Sequence, residues 1–258
     1  MANIAAASAQ GVTHASPGRA FAPAIDRWIY VFMAASFIAY TLIGFVPDSL
    51  AKLAVVNAGQ RPPFPPIMHL HAVLMGSFLV LLLAQSILAA TGRLQYHRAL
   101  GIAGFVLGPA LVIVGFVLVP TMYHQVWGMA QSAPAEVRPM IEQGLRMFDN
   151  IMLVQIRVGL LFPIFLAIAL TARKSDPGLH KRMMFLAVAI ALPAAFDRIA
   201  WLPTSLPGST LTLELYPLLA IAPMFVWDLV RTRKVHRVYM IWALVSLPAA
   251  ILMHTLWD

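Results

Sequence analysis

Apolar residues fill seven uninterrupted runs along this chain, at about residues 27–46, 67–91, 98–121, 150–172, 180–202, 210–231 and 236–256. Each is close to the ~20 residues a helix needs to cross the hydrocarbon core of a bilayer. In lipid only helices and closed barrels satisfy their own backbone groups, and continuous runs exclude the alternating pattern of a barrel strand. The pattern predicts an all-α polytopic membrane bundle of seven transmembrane helices, one domain spanning residues 25–258. Residues 1–24 are rich in Ala, Ser and Gly and lack the apolar core of a signal peptide, so they are expected to form a flexible cytoplasmic tail.

Polar residues and prolines set the expected boundaries. The first run should end at Pro47-Asp48. Four prolines between Pro62 and Pro66 remove backbone donors and restrict their neighbours, which predicts an extended entry that delivers His69 and His71 to the second helix. Pro109 should kink the third helix. Between the third and fourth runs, Ser132 reads as an N-cap, and Met140, Ile141, Leu145 and Phe148 line one face. That spacing predicts an amphipathic helix over about 133–148 lying on the outer membrane surface.

Composition agrees: 60% of residues are hydrophobic and 11% charged, against about 25% charged in soluble domains. The net charge of +8 does not point to nucleic acid, because its placement is periodic. Arg93 and Arg98 flank the second loop, Arg173, Lys174, Lys181 and Arg182 the fourth, and Arg231, Arg233, Lys234 and Arg237 the sixth. By the positive-inside rule those loops are cytoplasmic, which puts the N-terminus in and the C-terminus out. The absence of cysteine excludes disulfides and thiolate-ligated metal or iron–sulfur centres.

Candidate chemistry follows from depth at 1.5 Å per residue. Arg157, Asp197, Arg198 and Glu214 all fall within the outer third of the bundle, with His71 and His254 nearby and His69, His124 and Asp149 closer to water. Intramembrane charges are costly alone, so Arg157 is expected to pair with Asp197, leaving Asp149 or Glu214 for Arg198, in a polar pocket open to the outer face. The inner half shows no comparable depth of charge. His71 and His254 with Asp197 or Glu214 would suit a transition metal by ligand type. His97, His180 and His236, each beginning a helix beside Arg or Lys, are candidate axial ligands for a haem b near the inner face.

The segments HLHAVLMGSFLVLLLAQSILAATGRLQYHRALG (69–101), LHKRMMFLA (179–187) and WDLVRTRKVHRVYMIWAL (227–244) resemble a family of uncharacterised bacterial multi-helix membrane proteins. Its marks are a paired-histidine entry, a GR…HR-LG turn and a later HKR-M helix start, and it is loosely similar to cytochrome b561 and ferric-reductase bundles. The resemblance implies a place in the bacterial inner membrane and marks His69, His71, His97, His180 and His236. The resemblance implies no reaction; the residues themselves leave three function classes. The first is a redox, metal- or haem-binding membrane protein, for which a quinone would be a fitting partner. The second is a non-catalytic subunit or assembly factor of a larger membrane complex, and the third a small-solute transporter.

Overall fold

The computed structural model describes residues 17–257. They form α1 (Pro17–Asn57), α2 (Pro66–Ala90), α3 (Leu94–Ser132), α4 (Arg138–Ala172), α5 (Pro177–Ala189), α6 (Pro193–Phe196), α7 (Leu211–Thr232) and α8 (Arg237–Thr255), with no strand among the described residues. Taking α5 and α6 as one span, seven helices are long and apolar enough to cross a membrane. The protein is an all-α polytopic bundle.

The bundle is built around α5. It packs on α4, α7 and α8, while its continuation α6 packs on α1 and α7. In the α5–α6 span 72% of the most apolar window is buried, against 17% in α3. Hydropathy runs the other way, 1.4 for the central span and 2.7 for α3. A helix facing lipid must be apolar all round, whereas one surrounded by protein can carry polar groups wherever a neighbour answers them. Met183, Phe185 and Leu186 of α5 close the core with Met33, Phe37, Phe165 and Met224. Pro193 cannot donate to the helical ladder, and the chain tightens into i→i+3 bonds at Ala191 and Leu192 before α6. Gly44 of α1 sits on this break so closely that a Cβ would collide with the Ala195 carbonyl.

Several boundaries differ from expectation. Of the expected tail, residues 1–16 lie outside the described residues, and 17–24 already belong to α1. The first helix does not stop at Pro47-Asp48 but runs on to Asn57, where Asp48 pairs with Lys52 one turn later. A single proline removes one donor, which a long helix tolerates when the following turn is stapled. No separate surface helix occupies 133–148. The α3 helix reaches Ser132, residues 133–137 turn, and 138–148 are the first turns of α4. Ser132 does not cap: its hydroxyl donates back to the Gly128 carbonyl, which continues α3. Pro139 in the first turn instead sets the start of α4. The stretch at Pro65 is extended, and α2 begins at Pro66.

Candidate functional site

At the end that the loop charges mark as outer, Arg157 lies two turns into the apolar part of α4 and its side chain is only 9% exposed. Its fork closes on Glu214 of α7: Nη1 donates to Oε1 and Nη2 to Oε2, the latter at 2.8 Å. Nη1 also lies 3.7 Å from Met253 Sδ on α8, while Nε is buried without an acceptor. The expected Arg157–Asp197 pair does not form. Arg198 pairs with Asp48 of α1 at 3.3 Å, not with Asp149 or Glu214, and Asp197 is exposed. Depth fixes the level of a side chain, but helix rotation and neighbours decide its partner, and Asp197 lies beyond the last turn of α6.

A cavity of about 120 Å³ does open at this end, between α6, the 197–204 segment and the start of α7. Of the four residues expected to build a pocket, Asp197 lines it; Arg157, Arg198 and Glu214 do not.

The histidines divide by what their rings touch. His69 and His71 diverge because α2 has already begun: His69 is exposed and edge-on to Phe64, whereas His71 is half-buried with Nδ1 unpartnered. His124 is exposed against Tyr123. His254 Nδ1 lies 3.0 Å from the Thr210 hydroxyl, tying the end of α8 to the start of α7. Among the described residues no three His, Cys, Asp or Glu converge as a metal site. The expected centre of His71, His254 and Asp197 or Glu214 is therefore not assembled: His254 is held by Thr210 and Glu214 by Arg157, and neither His71 nor Asp197 joins them in a cluster.

At the inner end, His97 and His180 occupy equivalent places. Each sits in the first turns of a helix and reaches back over its hairpin: His97 Nδ1 to the Gln85 carbonyl at 3.2 Å, His180 Nδ1 to the Ala169 carbonyl at 2.8 Å. A carbonyl only accepts, so both rings carry their proton on Nδ1 and leave Nε2 as a lone pair. His236 is the opposite tautomer. It caps α8, its Nδ1 accepting from the Val238 amide at 3.2 Å, so its neutral form is protonated on Nε2. Burial, and then the neighbouring charge of Arg182, push its pKa down.

The inner end also holds the most buried ion pair among the described residues, contrary to the expectation of a charge-poor inner half. Arg182 of α5 grips Asp228 of α7 through Nε and Nη2 at 2.6 and 2.5 Å, and Tyr239 of α8 donates to the same carboxylate at 2.6 Å. The paired side chains are 11% and 5% exposed. Arg182 Nη1 donates to the Gly178 carbonyl, and Lys181 lies 4.7 Å over the Tyr30 ring. Asp26 then receives Trp227 and Arg231, joining α1 to α7. Asp176 caps α5 at the Leu179 amide and holds Arg237; that amide, and then the guanidinium, keep its pKa below the usual carboxylate value.

Asp228 carried a readable signal that depth alone missed. An acid in the last turns of a helix opposes the macrodipole and needs a local cation to explain it. Glu214 and Asp228 are also fourteen residues apart, so they fall within about 40° of the same face of α7.

Compared with known proteins, the chain matches no family model, and no curated protein or solved structure resembles it significantly.

Proposed function

We propose that this protein is a membrane-embedded haem-binding redox protein in which His97 and His180, toward the inner face, would hold the iron. The carrying observation is that both rings donate Nδ1–H to a backbone carbonyl of the preceding helix, leaving Nε2 unprotonated. Iron-ligating histidines are held in this way, because the second hydrogen bond fixes tautomer and ring direction and raises the basicity of the ligating nitrogen. Without a third protein ligand nearby, a bare metal is a poor occupant. A haem asks less of the chain, since the macrocycle supplies four donors and the protein one or two. When bound it would supply one-electron transfer, and a quinone in the bilayer is a fitting partner by chemistry.

His236, His69 and His124 fit the role less well. The first carries its proton on the wrong nitrogen, and the other two are exposed at the far end. The test is an absorption spectrum of protein purified from haem-replete membranes. A Soret band that disappears in His97→Ala and His180→Ala and persists in His124→Ala supports the assignment. A colourless wild-type protein sinks it.

A further inference from the structure

The outer cavity is chemically specific, and the redox reading makes no use of it. Phe196 and Tyr216 stand in its wall with ring centroids 5.5 Å apart, beside Pro193, Ile199 and Leu213. Asp197 supplies the one formal charge among the lining residues. It is exposed and, among the described residues, in no ion pair. The adjacent cation does not answer it: Arg198 is taken by Asp48 at 3.3 Å, the Ala194 carbonyl at 2.5 Å and the Phe45 ring at 4.6 Å.

The other polar groups of the wall are committed. Tyr216 donates its hydroxyl to the Pro203 carbonyl. Thr212 Oγ1 accepts from the Ser205 amide and bonds the Ser205 hydroxyl, and Thr204 Oγ1 accepts from the Leu206 amide. A divalent metal wants six or more oxygen ligands and finds one free carboxylate here. An anion is repelled by that carboxylate and meets no free guanidinium. What suits a carboxylate set among aromatic and aliphatic walls is a cation with an apolar skin. The volume of about 120 Å³ limits its size; an apolar cavity of ~150 Å³ holds a benzene molecule of six heavy atoms.

We propose that this cavity, formed by Asp197, Phe196 and Tyr216 at the outer end of the bundle, recognises a small organic ammonium ion. The mouth lies beside exposed Asp197, Ala200, Pro203 and Thr204, in the segment that joins the spans ending at Phe196 and starting at Leu211, so the ion enters from the water side of the bundle end.

The experiment titrates the full chain, in a neutral detergent, with tetramethylammonium chloride, following thermal unfolding and heat of binding. The neutral isostere tert-butanol and equimolar sodium chloride are the references. Saturable binding of tetramethylammonium alone is expected. Asp197→Asn should weaken it roughly tenfold or more, the change that follows from losing about 1.4 kcal/mol of attraction. Phe196→Leu should weaken it roughly two- to fivefold, in line with one cation–aromatic contact. Tyr216→Phe keeps the ring and should change affinity less than about twofold. Because Asp197 has no partner to lose, Asp197→Asn should unfold at the wild-type temperature. Equal response to tert-butanol or sodium chloride overturns the proposal, as does undiminished binding by Asp197→Asn. Should that variant misfold, an affinity unchanged in Phe196→Leu overturns it equally.

Discussion

The two ends of α7 each carry an acid gripped by an arginine, yet they solve the burial of charge differently. At the inner end Asp228 accepts from Arg182 twice and from Tyr239 once, and the spare nitrogen of Arg182 goes to a backbone carbonyl. At the outer end Glu214 has Arg157 alone, Arg157 Nε is orphaned, and the third neighbour is a thioether. Even the third partners correspond: Tyr239 and Met253 are fourteen residues apart on α8, the spacing of Glu214 and Asp228 on α7. In a low dielectric a fully answered network rigidifies, whereas a partly answered one leaves its members a reason to repack. The inner end is thus the fixed end of the bundle and the outer end the adjustable one.

The largest effect should come from breaking the inner network on one side. Asp228→Ala leaves a buried guanidinium without its counter-ion and should cost about 3–5 kcal/mol, read by unfolding in mixed detergent. Replacing both partners, Arg182→Met with Asp228→Leu, should recover most of that loss. A double variant as unstable as the sum of the singles would contradict the pairing. At the outer end Glu214→Ala should cost about 1–3 kcal/mol, less because Glu214 is itself 30% exposed. A double-mutant cycle between Arg157 and Glu214 should show coupling of about 0.5–3 kcal/mol, and one between Arg157 and Asp197 none within ~0.5 kcal/mol. Coupling of similar size in both cycles would erase the contrast.

Tyr239→Phe probes the inner network more finely. It keeps the ring against Phe225 and removes one donor from Asp228, for a loss of about 1–3 kcal/mol. A loss near zero would mean that Arg182 alone satisfies the carboxylate. Acid titration gives the smallest signal. His236 has a depressed pKa in the folded protein, so the unfolded chain binds its proton first, and stability should fall as pH drops below about 6.5. Asp176, also depressed, contributes above about 3.8 and loses that contribution below it. Both therefore weaken the inner end in acid. The variant His236→Gln should diminish the first phase and leave the second, and an unchanged first phase would remove His236 from the account.

Much of the architecture was legible because hydropathy is a property of single segments: the seven apolar runs coincide with seven helices. What escaped were relations between segments. The α1 helix continues past Pro47 because Asp48 and Lys52 meet on its surface, and α3 continues to Ser132 because that residue turns its hydroxyl back into it, leaving Pro139 to start α4. Neither choice is visible in a window average. The site was legible in its residues and not in its pairings. Arg157 and Glu214 were both read at one level and do meet, but partner choice depends on how α4 and α7 are rotated, and packing sets that rotation. Asp228 was hidden among the basic residues that orient the inner loops. The three inner histidines look alike in sequence and separate only when the atom opposite Nδ1 is known, a carbonyl for two and an amide for the third.

The least hydropathic span being the central one has a consequence for biogenesis. A segment leaving the ribosome is judged by the translocon on its own partitioning into lipid, and the α5–α6 span, at a hydropathy of 1.4, is the weakest candidate of the seven. It emerges directly after α4, against which it packs, so the two are expected to enter the bilayer as a hairpin. Later spans then arrive to enclose it.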